Sequence, residues 1–197
     1  MKAVVLANGD YPTHEIPLCI LHDAEMVVCC DGAANEYIRR GGMPSVIVGD
    51  GDSLDPRHRL LLHQVEEQVD NDLTKSVHYL KEQGFTEIDI LGATGKREDH
   101  TLGNISLLIE YLKEGLQVRM FTNEGVFIPC LDHADMEGIE LGQPVSIFNF
   151  AASGFQADGL RYPIYDFTNW WQGTLNEAVS DKVSIRAKGY FMVYLTY

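Results

Sequence analysis

Short apolar runs occupy residues 3–7, 26–30, 46–48, 88–91 and 118–121. None alternates between apolar and polar positions, so each predicts a strand covered on both faces, as in a parallel sheet. Helical periods fall between them. Leu73, Val77 and Leu80 recur at i, i+4 and i+7 ahead of Gly84, and Leu102, Ile105, Ile109 and Leu112 repeat the pattern ahead of Gly115. A third helix is predicted over residues 33–40, ended by Gly41-Gly42. Strands alternating with helices of this length predict an α/β fold, a mostly parallel sheet with helices on both faces, over residues 1–123. From residue 124 the texture changes. Turn residues such as Gly138, Gly142, Pro144, Gly154, Gly159, Pro163 and Gly173 are frequent, and Val183, Ile185 and Ala187 alternate with Lys182, Ser184 and Arg186. Residues 124–197 are therefore expected to form a small antiparallel β domain serving as a lid, a substrate wall or a dimer surface.

With 197 residues, 45% of them hydrophobic, the chain can bury a substantial core. Its net charge of -14 opposes general nucleic-acid binding, which depends on Lys and Arg neutralising phosphates. An acidic protein that binds phosphate needs a metal ion and a few placed cations. The first apolar run is too short for a signal sequence and no run reaches membrane-spanning length, so a cytoplasmic location with no membrane partner is expected. Cys19, Cys29, Cys30 and Cys130 show no CxxC spacing; they are expected to be reduced, with Cys29 and Cys30 as small buried hydrophobes.

In open parallel sheets, ligands collect beyond the carboxyl ends of the strands. The residues following the apolar runs are Asn8-Gly9-Asp10, Asp31-Gly32-Ala33-Ala34-Asn35, Gly49-Asp50-Gly51-Asp52-Ser53 and Gly92-Ala93-Thr94-Gly95-Lys96-Arg97-Glu98-Asp99-His100, and Asp70-Asn71-Asp72 opens a predicted helix. Asp50 and Asp52 are spaced so that both carboxylates can face one hard cation, and Mg²⁺ suits a site shared with phosphates. Taken alone, that segment also fits an ordinary polar turn, and Asp72 fits a helix N-cap. Lys96 and Arg97 add positive charge to this rim, a guanidinium being able to grip phosphate in bidentate fashion. Lys75 can reach a phosphate from the first helical turn or be a solvated surface lysine; His100 can position substrate or be structural. A Walker A loop, a dinucleotide glycine fingerprint and a nucleophile elbow are all missing.

In order along the chain, these segments resemble the motifs of the thiamine pyrophosphokinase family: Asp31-Gly32-Ala33-Ala34-Asn35, Gly49-Asp50-Gly51-Asp52-Ser53, Asn71-Asp72-Leu73-Thr74-Lys75, and Gly95-Lys96-Arg97-Glu98-Asp99-His100 with Asn104. Gly159-Leu160-Arg161-Tyr162-Pro163 and Gly173-Thr174-Leu175-Asn176-Glu177 resemble two further markers of the family in the β domain. The resemblance implies an N-terminal ATP-binding α/β domain, a C-terminal β-sandwich-like domain and a homodimer with thiamine near the subunit interface. The implied reaction moves the terminal diphosphate of ATP onto the hydroxyethyl oxygen of thiamine, releasing AMP. By the same resemblance, Asp50, Asp52 and Asp72 organise Mg²⁺ and the phosphates. Arg97 neutralises the transferring group, and Asp99 supports that site or the hydroxyl. Asp31 and Asn35 lie by the nucleotide, with Lys75, His100 and Asn104 also on the nucleotide side. Gln68 addresses the aminopyrimidine, while Tyr162 and Asn176 help form the thiamine pocket.

Three positions depart from the family pattern. Lys96 stands where a second glycine is common, Tyr162 where some members have tryptophan, and Leu175 where serine is frequent. Trp170 and Trp171 fit core or interface packing. The alternatives are a non-catalytic nucleotide or thiamine binder, a metal-dependent sugar-phosphate transferase using the Asp-x-Asp turn, and a Rossmann oxidoreductase. The last lacks its glycine fingerprint, and the sugar-phosphate reading leaves residues 97–100 unexplained.

Overall fold

The computed structural model describes residues 3–67 and 69–197. The chain divides into two compact units, Met1–Asn123 and Glu124–Tyr197. In the first unit, strands β1 (Ala3–Leu6), β2 (Met26–Cys30), β3 (Val46–Gly49), β4 (Leu62–Gln64), β5 (Glu87–Leu91) and β6 (Gln117–Phe121) lie in the order β4-β3-β2-β1-β5-β6, every pair parallel. Residues 3–6 of β1 and 27–30 of β2 are all buried, which is why their sequence carries no inside/outside alternation. Helices α1 (Glu15–His22), α2 (Ala33–Arg39), α3 (Asp72–Glu82) and α4 (Glu98–Lys113) connect the strands, α3 packing on β1 to β3 and α4 on β6. From β1 the chain moves outward through β2 and β3 to β4, then returns to β5 on the other side of β1. That reversal makes the carboxyl ends of β1 and β5 a topological switch point.

Leu73, Val77 and Leu80 form the buried stripe of α3, as their spacing predicts. Asn71, rather than Asp72, caps this helix, accepting the Thr74 N–H at 2.9 Å and leaving the Asp72 carboxylate for other work. All four cysteines are free; Cys29, Cys30 and Cys130 are buried and Cys19 is exposed. Among the described residues no helix is long and apolar enough to cross a membrane.

The second unit is built on three long strands, β7 (Gly125–Glu137), β8 (Pro144–Asp158) and β10 (Lys182–Thr196), with a short β9 (Asn176–Glu177), in the antiparallel order β7-β10-β8-β9. Gly154 lies inside β8, not in a turn, where β8 and β10 slip register twice and Ala151 adopts φ 71°. These bulges bend both strands. Phe155, from beyond the bend in β8, thereby meets Phe191 at a ring-centroid distance of 5.5 Å, and both halves of the sheet enclose one core with Ile147, Val183, Ile185 and Val193.

Candidate active site

The loops after β1 and β5 are joined by their backbones. Ala7 N–H donates to Leu91 O at 2.8 Å, Gly9 N–H to Gly92 O at 2.6 Å and Asp10 N–H to Thr94 O at 2.8 Å. A side chain at Gly9 would run into the backbone oxygens of Gly92 and Thr94, so only glycine permits this approach. Beside the joined loops a cavity of about 480 Å³ is lined by Asn8, Asp50, Asp52, Asp70, Asp72, Lys75, Thr94, Lys96, Arg97, His100 and Asn104, among others. Side chains from four strand-end or helix-start segments thus face one space, as the switch point requires. Asn8, Thr94 and Asp70 had only their positions in such segments to mark them in the sequence.

One carboxylate oxygen from each of Asp31, Asp50 and Asp52 lies within 4.8 Å of the others; Asp50 and Asp52 line the cavity, and Asp31 lies outside its lining. Asp31 follows β2 with φ 32°, a left-handed conformation that Asp tolerates better than most residues but at a cost of about 1–3 kcal/mol. It is 2% exposed; its Oδ2 accepts the Ser53 N–H at 2.9 Å, and among the described residues its buried Oδ1 has no partner. Burial raises its pKa, the Ser53 bond opposes that, and the nearby Asp52 and Asp72 carboxylates raise it further. Three convergent carboxylates, one holding an orphaned buried oxygen, fit a hard divalent cation with oxygen ligands. Asp72 is not in this closest trio but lines the cavity with Asp50 and Asp52, its pKa also raised, first by burial and then by Asp50, against the lowering effect of Lys75.

Lys75 is not a solvated surface lysine. Its side chain is 4% exposed, and Nζ lies 3.5 Å from Asp72 Oδ1. The Arg97 guanidinium grips Asp99 through Nε and an Nη at 3.0 and 2.5 Å and holds that carboxyl at about 2, well below the usual range. A carboxylate so readily ionised is a poor proton acceptor. Asp99 itself does not line the cavity; it orients Arg97 and accepts the His100 N–H at 2.9 Å.

Asn35 also lies outside the lining. Its Nδ2 donates to Ser53 O at 2.8 Å and its Oδ1 accepts the Asp55 N–H at 2.9 Å, so it fixes the loop that carries Asp50 and Asp52. Asn104 donates to Ala93 O at 2.8 Å and accepts from Asn71 at 3.1 Å, tying α4 to the β5 loop and the start of α3. Gln68 lies outside the described residues. In the second unit, Tyr162, Tyr165, Phe167, Leu175 and Asn176 border a separate cavity of about 390 Å³. Asn176 accepts the Tyr162 N–H at 3.1 Å and donates to Tyr162 O at 2.9 Å, so its amide clamps the tyrosine's backbone. Trp170 packs on Phe148 and Phe150 of β8, whereas Trp171 is 71% exposed.

Residues 19–120 match the family model described as thiamin pyrophosphokinase, catalytic domain, and residues 125–194 match thiamin pyrophosphokinase, substrate-binding domain. Thiamin pyrophosphokinase 1 of Caenorhabditis elegans is 34% identical over 102 residues, covering 45% of this chain and 42% of that protein. Thiamine pyrophosphokinase 1 of Oryza sativa subsp. japonica is 30% identical over 138 residues, covering 55% and 52%. The matched region therefore spans about half the length of these relatives. Among solved structures, thiamine pyrophosphokinase from Bacillus subtilis superposes with a TM-score of 0.82 at 21% identity, covering 100% of this chain and 99% of its own. Thiamin pyrophosphokinase from Candida albicans gives 0.84 at 15% identity, covering 98% and 88%. These likenesses carry the fold alone, while the catalytic-domain match covers more than half of the sequence. The chain belongs to the thiamin pyrophosphokinase family.

Proposed function

We propose that this protein transfers the terminal diphosphate of ATP to thiamine, forming thiamine diphosphate and AMP. The observation carrying this reading is the single cavity in which Asp50, Asp52 and Asp72 face Lys75, Lys96 and Arg97, within the catalytic-domain match. The thiamine hydroxyl oxygen bonds to the β-phosphorus, the α–β bridge breaks with its oxygen leaving on AMP, and the hydroxyl proton passes to buffer. Such chemistry rests mainly on positioning and charge stabilisation. Asp50, Asp52 and Asp72, joined by Asp31, are the residues to hold Mg²⁺, which supplies charge neutralisation for phosphate oxygens when bound. Lys75 and Arg97 bind phosphate oxygens, with His100 and Asn104 bordering them. Quenched incubation with ATP, Mg²⁺ and thiamine should yield AMP and thiamine diphosphate in equal amounts, abolished by a chelator. Release of ADP, or no thiamine diphosphate at all, overturns the reading.

The second unit, residues 124–197, is assigned to thiamine binding, with Tyr162 offering a face for the pyrimidine; Gln68, in the first unit, is a separate candidate for the aminopyrimidine by family resemblance. Tyr162, Tyr165, Trp171 and Leu175 are 55%, 53%, 71% and 82% exposed, an apolar surface that suits burial by a second copy in a homodimer. A cytoplasmic setting accords with four unpaired thiols. Replacing Asn176 by Ala removes the clamp on Tyr162. The KM for thiamine should rise about tenfold, the value of one or two polar bonds, with the KM for ATP within about twofold. Equal shifts in both constants would show that Asn176 acts on the whole fold.

A further inference from the structure

The structure gives Lys96 a place in the lining of two cavities. A second space of about 270 Å³ is bordered by Asn8, Asp10, Tyr11, Ala33, Glu36 and Lys96, among others, so Lys96 belongs, with Ala7, Asn8 and Gly9, to both it and the larger cavity. Their relation is fixed by backbone. The three hydrogen bonds joining the β1 and β5 loops precede Lys96 directly, and Gly95, at φ 95°, lets the chain pass so close to Asp10 that a Cβ would fall 2.3 Å from its Oδ2. Lys96 is thereby presented at the loop apex with Nζ donating to Asn8 Oδ1 at 3.2 Å.

The other two cations of the larger cavity are engaged by carboxylates, Lys75 by Asp72 and Arg97 by Asp99. Among the described residues Lys96 forms no ion pair, and its recorded partner is a neutral amide. An ammonium held by a neutral amide oxygen gives up one charge-assisted bond for another when it turns to a phosphate oxygen, and gains the attraction of an anionic acceptor in place of a neutral one. We propose that Lys96 is a phosphate-contacting residue, gripping the polyphosphate of ATP where it crosses from one cavity to the other; this rests on the function proposed above. Asn8 holds the ammonium at that crossing when no phosphate is there.

Steady-state kinetics of Lys96→Met, Lys96→Arg and Lys96→Gly test this, with direct calorimetric binding of Mg·ATP to each. Lys96 is exposed, so the thermal unfolding midpoint of each variant should match wild type. Lys96→Met and Lys96→Gly should raise the KM and Kd for Mg·ATP about tenfold, the scale of one charge-assisted bond, leave the KM for thiamine within about twofold, and weaken inhibition by inorganic pyrophosphate in parallel. Lys96→Arg should restore most of the affinity. If wild type turns over thiamine yet all three variants bind Mg·ATP as it does, the proposal is wrong. If wild type forms no thiamine diphosphate, the proposed function falls, while the calorimetric comparison still decides the role of Lys96.

Discussion

Asp52→Asn is expected to lower turnover on the order of 10²-fold or more without lowering the unfolding temperature, a loss of the size seen when one preorganised charge-stabilising group is removed. The side chain is exposed; its carboxylate accepts the Ser53 hydroxyl at 2.9 Å, which an asparagine carbonyl can also accept, and faces the Asp31 carboxylate. Volume is conserved, so no cavity opens. What disappears is one of the three charges within 4.8 Å of one another, and with it part of the attraction for a divalent ion. The rate should recover partly as Mg²⁺ is raised, because a weakened ligand set shifts the metal requirement. Wild-type turnover at limiting Mg²⁺ would remove Asp52 from the ligand set.

That trio also marks where sequence reading stops. Asp50 and Asp52 were legible together because two carboxylates flank one glycine in a strand-end loop. Asp31 lies nineteen positions earlier, and the β2–β3 pairing and a positive φ are what bring its carboxylate to theirs. The family resemblance placed Asp31 beside the nucleotide; nothing in its local sequence announces an orphaned buried oxygen. Lys75 shows the same limit, since a basic residue in a first helical turn reads equally well as solvated, and only the packing of α3 against the sheet buries it. The parallel strands were legible because burial on both faces leaves an unbroken apolar run. Edge strand β4 was not: residues 62–64 are half-buried or exposed and form no such run. Helix α1 was missed because eight residues with only Pro17 and Leu21 buried give too brief a period.

Asp31→Asn should raise the stability of the metal-free protein and reduce its stabilisation by Mg²⁺. Asparagine accepts φ 32° as readily as aspartate, its Oδ1 can keep the Ser53 N–H, and its Nδ2 replaces the orphaned oxygen with a donor beside Asp52. Relief of one unsatisfied buried group contributes about 1 kcal/mol, or about 2–4 °C in Tm for a chain of this size. The pH dependence fixes the sign. Because the folded pKa of Asp31 is raised above 3.8, the wild-type protein keeps that contribution in full below pH 3.8 and loses it as pH rises through the folded value. The advantage of Asn should therefore be near zero in acid, grow with pH, and level off once Asp31 is ionised in the folded wild type. Mg²⁺ should reverse the ranking at neutral pH, since an ion that binds the folded state adds stability as the logarithm of its concentration over Kd and the variant has lost one anionic ligand. Thermal melts of both proteins across pH, with and without Mg²⁺, measure all three effects. An advantage that ignores pH would locate the gain in the backbone, and an equal Mg²⁺ shift in both proteins would place the ion away from Asp31.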